Sequence, residues 1–198
     1  MKGFMTKKEL RKEMRALNRA LDPAVRAAAS VRIVARIEHL PEFAESRTVG
    51  LFCALPDEPD LSSALERWRA AKRLVVPRVE GDAMRFFEYD PRRLVPGAFG
   101  ILEPGPDARL CSPGEIDLLL VPGVAFTCGG LRCGRGRGYY DRYLAQTAFR
   151  GFRLGVCFAH QLVDALPAEP HDIRMDGVIF EGPANQPGEV VPPDVSRN

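Results

Sequence analysis

Apolar residues recur at helical spacing from the start of the chain, with Leu10, Met14, Leu17 and Leu21 on one face. Thr6 and Glu9, just ahead of that run, form a capping-box pattern and predict a helix start there. Asp22-Pro23 reads as a second N-cap with proline at the first helical position, and Val25, Ala29, Ile33, Ile37 and Leu40 carry that helix to Pro41. Leu61, Ala64, Leu65, Trp68 and Ala71 make a third amphipathic helix. Strands are expected over 48–55, 74–79 and 84–89, the last a candidate for a sheet edge. Residues 117–121, Asp-Leu-Leu-Leu-Val, are an apolar run bounded by turn residues, as in a parallel strand buried on both faces. A helix over 139–148, a buried strand over 153–158 and a short strand over 177–180 complete the pattern. Strands alternating with helices predict a three-layer α/β/α sandwich around a mostly parallel sheet. No internal repeat or boundary divides it, so residues 1–182 are expected to form one domain, with the proline- and glycine-rich 183–198 as a flexible tail.

Composition narrows the function classes. Hydrophobic residues make up 45% and charged residues 27%, the balance of an ordinary soluble protein. A net charge of +2 excludes a polyelectrolyte partner such as a long nucleic acid. The charge is uneven: the first forty residues and the stretch from Arg132 to Arg153 are basic, which suits a small anion. Five cysteines, an odd number without Cys-x-x-Cys spacing, read as free thiols of a reducing cytoplasm. Lys7, Lys8, Arg11 and Lys12 fall where a signal peptide needs an apolar core, and the longest apolar run, 116–126, is broken by Pro122 and Gly123. A cytoplasmic protein without membrane contact is expected. His39, His160 and His171 lack metal-ligand spacing.

The candidate chemistry follows the 117–121 strand. In open α/β sheets ligands bind beyond the carboxyl ends of the strands, and long loops there are usually functional. Residues 122–138 show almost no apolar periodicity and end in Arg132-Cys133-Gly134-Arg135-Gly136-Arg137-Gly138-Tyr139-Tyr140-Asp141. Gly134, Gly136 and Gly138 leave backbone N–H groups unshielded, arginines alternate with them, and a helix follows. That combination reads as a phosphate cradle. The Walker pattern fails, because Arg135 and Gly136 stand where it needs lysine and a hydroxyl. The dinucleotide fingerprint fails too, since its glycines should follow a strand at once. Spacing alone therefore gives an anion site of unassigned type, with a solvated arginine–glycine loop that touches RNA as the alternative.

The stretch Val121-Pro122-Gly123-Val124-Ala125-Phe126, then Gly130-x-Arg132 and Gly134 to Asp141, resembles the signature of the 5-formyltetrahydrofolate cyclo-ligase family. Lys7-Lys8-Glu9-Leu10-Arg11 resembles that family's basic N-terminal ATP segment, Phe52 to Glu58 its folate-facing strand and acidic turn, Glu103-Pro104 its Glu-Pro element, and His171-Asp172 its late metal aspartate. Two positions depart: the family commonly has Asp at Thr127 and Leu at Cys133.

The resemblance implies a fold related to ribose-5-phosphate isomerase and the CoA transferases. It also implies Mg2+- and ATP-dependent closure of 5-formyltetrahydrofolate, with or without a polyglutamate tail, to 5,10-methenyltetrahydrofolate by a monomer. Implied ATP-binding residues are Lys7, Lys8, Arg11, Arg132, Gly134, Arg135, Gly136, Arg137, Gly138, Tyr139 and Tyr140, with Arg135, Arg137 and Tyr139 catalytic. Folate would meet Cys53, Glu58, Glu103, Pro104 and Tyr139, and magnesium would meet Asp141 and Asp172. A non-catalytic folate or nucleotide binder of the same fold is the alternative.

Overall fold

The structure is a computed structural model and describes residues 5–97 and 100–182; the expected tail lies outside the described residues. Helix α1 (Lys7–Ala20) starts at the expected capping box: Glu9 N–H donates to Thr6 Oγ1 (3.3 Å) and Thr6 N–H to Glu9 Oε2 (2.9 Å). Asp22 caps α2 (Pro23–Glu38) by accepting from Ala24 N–H (2.8 Å). There follow α3 (Pro41–Glu45), β1 (Thr48–Gly50), α4 (Ser62–Ala71), the hairpin β2 (Arg73–Glu80) and β3 (Ala83–Glu88), β4 (Leu94–Pro96), β5 (Leu102–Pro104) and β6 (Leu110–Cys111). The second half holds β7 (Leu118–Pro122), β8 (Ala125–Phe126), β9 (Arg132–Cys133), α5 (Tyr139–Leu144), β10 (Phe152–Val156) and β11 (Gly177–Ile179).

Seven strands form the central sheet in the order β11-β10-β7-β1-β2-β3-β6. The first five run parallel, and β3 and β6 extend the sheet antiparallel. Side-chain alternation divides the core. Leu74, Val76, Leu118, Leu120 and Ile179 face α2, α3 and α4, while Val75, Leu119, Val121 and Val178 face Tyr143, Leu144 and Phe149. This is the expected three-layer sandwich, and the run 117–121 is apolar because it is covered on both faces.

Several details differ from the sequence pattern. Strand β1 is shorter than 48–55: its pairing ends with Leu51 N–H on the Val75 carbonyl (2.8 Å), and the chain then runs to a turn at Leu55, where Glu58 N–H donates to the Leu55 carbonyl (2.9 Å). The 84–89 strand is not at the edge, since β6 pairs outside it. Helix α5 stops six residues in, well short of 148. The hairpins β4/β5 and β8/β9 are built of strands of two or three residues, too short to display a period. Among the described residues no helix is long and apolar enough to cross a membrane, and all five cysteines are free.

Candidate active site

The parallel strands end on one side of the sheet, and there the chain opens a cleft of about 750 Å³. The loop after β1 contributes Phe52, Cys53, Leu55 and Glu58; β2 and β3 contribute Pro77, Val79 and Met84. The long segment after β7 contributes residues 134–142, and α1 reaches over with Lys7 and Arg11.

That long segment is organised rather than loose. It folds into the β8/β9 hairpin, whose turn is fixed by Thr127: its Oγ1 accepts from Leu131 N–H (3.1 Å) and its own N–H donates to the Leu131 carbonyl (3.0 Å). The hydroxyl here supplies the acceptor that a short acidic side chain would supply. Cys133 is buried against Leu10, Met14 and Val124, so it behaves as a small apolar residue, and burial pushes its thiol pKa up. Hairpin and α1 share this small core, which presses α1 against the cleft. Beyond it the chain passes through Gly136 (φ 100°) and Gly138 (φ 67°), conformations that glycine adopts freely. A Cβ at Gly136 would also stand 3.4 Å from the Arg11 guanidinium. With α5 only six residues long, its dipole adds little, and the arginines carry most of the positive charge.

The charged groups sort into three clusters. Arg135 lies between two carboxylates: its Nε donates to Glu58 Oε1 (2.8 Å), its terminal nitrogens to Asp57 Oδ1 (2.6 Å) and Oδ2 (3.3 Å). Burial by itself would lower the Arg135 pKa, but the two carboxylates outweigh it and raise it. Second, Arg132, only 4% exposed, donates to Asp141 Oδ2 (2.9 Å) and to the Pro122 carbonyl (3.3 Å). Third, Lys7 sits at 2.7 Å from both Glu169 and Asp172. Burial opposes the charge of this lysine, but both carboxylates hold its pKa up.

Among the sequence candidates, the cleft brings together Lys7, Arg11, Cys53, Glu58, Glu103 and Arg132, the run from Gly134 to Asp141, and Asp172. Arg11 Nε donates to the Gly134 carbonyl (2.8 Å), and Tyr139 Oη donates to the Gly81 carbonyl (3.2 Å). Tyr140 is packed between both halves of the core, and burial pushes its hydroxyl pKa well up. Burial, and then Glu103, push the Cys53 thiol to about 11, so it is no nucleophile at neutral pH. Arg137 is exposed at the cleft; its carbonyl accepts from Arg142 Nη1 (2.9 Å), while its guanidinium, among the described residues, has no hydrogen-bond or ion-pair partner. Two candidates do not line the cleft. Lys8 lies in a basic groove along α1 that also takes in Arg15 and Arg135, and Pro104 is buried within β5. Asn18 and Arg142 escaped sequence reasoning, and Asp57 entered it only as part of the acidic turn; their partners lie 39, 60 and 78 residues away, which no local pattern displays.

For a cation, the clearest cluster of ligand atoms among the described residues is Glu169, His171 and Asp172, within 4.8 Å of one another. The Lys7 ammonium already stands at its two carboxylates. Asp141 is a further carboxylate at the cleft; its Oδ2 is taken by Arg132 (2.9 Å). Its Oδ1 has only a long contact to Ile173 N–H (3.4 Å), which places the carboxylate beside the segment that carries Asp172.

Comparison with known proteins adds a second, independent line. The model of the 5-formyltetrahydrofolate cyclo-ligase family matches residues 4–181. A 5-formyltetrahydrofolate cyclo-ligase of Escherichia coli (strain K12) is 32% identical over 84% of this chain and 95% of its own length. One of Mus musculus is 27% identical over 88% of this chain and 93% of its own length. The solution structure of Aquifex aeolicus 5,10-methenyltetrahydrofolate synthetase superposes with a TM-score of 0.85 at 33% identity, covering 98% of this chain and 96% of that one.

Proposed function

The chain belongs to the 5-formyltetrahydrofolate cyclo-ligase family, and we propose that it closes 5-formyltetrahydrofolate to 5,10-methenyltetrahydrofolate at the strand-end cleft, with ATP and Mg2+. Ring-closing activity on the formyl folate comes with the family. The nucleotide, the metal and the residue roles are the proposal's own content. One observation carries it: a single cleft joins an arginine–glycine loop suited to phosphate with buried carboxylates suited to a pterin's N–H groups.

The chemistry needs phosphorylation because the formyl oxygen is amide-like and a poor leaving group. That oxygen attacks the γ-phosphorus of ATP; an O–P bond forms and the P–O bond to ADP breaks. N10 then attacks the activated formyl carbon, its proton departs, and the C–O bond breaks to release inorganic phosphate. No side-chain nucleophile is required, so the protein's work is alignment and charge neutralisation. Arg137, without an acidic partner, is the residue best placed to meet phosphate oxygens, and Arg11 steadies the loop through the Gly134 carbonyl. Glu58 and Glu103 meet the folate. Asp141 would hold Mg2+, with Asp172 nearby; when bound, the ion supplies positive charge between carboxylate and phosphates.

The test is an absorbance assay for methenyl product with purified protein and 5-formyltetrahydrofolate. Product should appear only with ATP present and should vanish when the divalent ion is chelated. Tight folate binding with no product under any condition would make the protein a passive binder.

A further inference from the structure

Arg135 is held in a way that bears on what it can do. A guanidinium grips an anion at two points along either of two edges, Nε with Nη2 or Nη1 with Nη2. Glu58 takes Nε at 2.8 Å, and Asp57 takes Nη2 and Nη1 at 2.6 and 3.3 Å. Both edges are engaged, so a phosphate could gain a two-point hold only if a carboxylate left. Phosphate would have to displace one of these two charge-assisted contacts to grip Arg135 at two points. Arg137, two residues on, carries no such partner among the described residues.

The anchoring extends outward from Asp57. Asn18, buried on α1, donates from Nδ2 to the Asp57 carbonyl (3.0 Å) and meets His160 Nε2 through Oδ1. Glu58 is fixed at both oxygens, because Oε2 accepts from Leu55 N–H (3.0 Å). The Glu58 carboxylate, only 5% exposed, is thereby aimed by the turn on one side and by Arg135 on the other. Asp57 holds the outer edge of the same guanidinium whose Nε meets Glu58.

Resting on the function proposed above, we infer that Asp57 is a positioning residue for the folate: through Arg135 it fixes Glu58, and Arg135 serves this tie rather than the phosphates. The experiment compares wild type with Asp57→Asn, Asp57→Ala, Asp57→Glu and Arg135→Lys, by steady-state kinetics in both substrates and by folate binding without ATP. For Asp57→Asn and Arg135→Lys, the KM and Kd for 5-formyltetrahydrofolate should rise about ten-fold, with the KM for ATP within about two-fold of wild type. Asp57→Glu should recover part of the loss. The double variant Asp57→Asn/Arg135→Lys should be no worse than Arg135→Lys alone, since both break one tie. A change in ATP KM with folate binding intact would overturn the inference; tighter ATP in Asp57→Asn would instead make Asp57 a stand-in for phosphate on Arg135. Unchanged constants for both ligands would reduce the pair to an ordinary ion pair. The folate-binding arm needs no turnover, so a wild-type protein that binds folate yet forms no product would remove the function and still test the tie. Should Asp57→Ala fail to fold, the isosteric Asp57→Asn carries the comparison.

Discussion

At the scale of single residues, the arginine–glycine loop was legible in the sequence, but not how its charges are divided. Alternating glycine and arginine are visible in any reading of 134–138, whereas the acidic partners of Arg135 lie nearly eighty residues earlier. Arg137→Ala should therefore raise the KM for ATP by about ten-fold or more, the loss of one charge-assisted contact of roughly 1.5–3 kcal/mol, with folate KM nearly unchanged. Steady-state kinetics in each substrate check this. Asp141 is a sharper case. As an acid in the first turn of a helix it could be worth only about 0.3–1 kcal/mol of dipole compensation. Its bond to Arg132, which is nearly fully buried, changes the expectation, because an uncompensated buried charge costs roughly 3–5 kcal/mol. Asp141→Asn should thus lower the thermal midpoint as well as depress turnover and raise the magnesium requirement. A magnesium titration at a temperature where the variant is folded separates the two effects; an unshifted titration would leave Asp141 as the partner of Arg132 alone.

At the scale of elements, long periodic segments were legible and short ones were not. The capping box of α1 and the Asp22-Pro23 start of α2 act through contacts within three residues, so their sequence signals survive intact. The β8/β9 hairpin has strands of two residues; its pairing depends on Thr127 and on the shared core with α1, not on periodicity. Thr127 departs from the family's usual Asp, yet its hydroxyl still closes the turn. Thr127→Val keeps the shape and removes the acceptor. It should cost about 1 kcal/mol, a lowering of the thermal midpoint by roughly 2–4 °C, and should raise the KM for ATP because the loop beyond Cys133 loses its anchor. Thr127→Asp should preserve both. Equal behaviour of Val and Asp would show that the loop is held by packing alone.

At the scale of the whole molecule, α1 lays Lys7 and Arg11 along the cleft, and its fastenings are polar as well as apolar. One is Asn18, whose Oδ1 meets Nε2 of His160, a ring stacked on Phe158. Burial lowers the His160 pKa from its ordinary 6.5, with Glu181 opposing. A histidine kept neutral in the fold takes up its proton more readily when unfolded, so its penalty is absent above 6.5 and grows as pH falls below it. Wild type should therefore lose thermal stability relative to His160→Gln between about pH 7.5 and 5.5, and the two curves should run parallel at higher pH. Parallel curves throughout would mean that His160 titrates as if exposed. The central claim, that ATP is spent on phosphorylating the formyl oxygen within this cleft, is met most directly by isotope transfer. With 5-formyltetrahydrofolate labelled with heavy oxygen in the formyl group, a single turnover should place the label in the released inorganic phosphate. Label released to water, with unlabelled phosphate, would contradict the account.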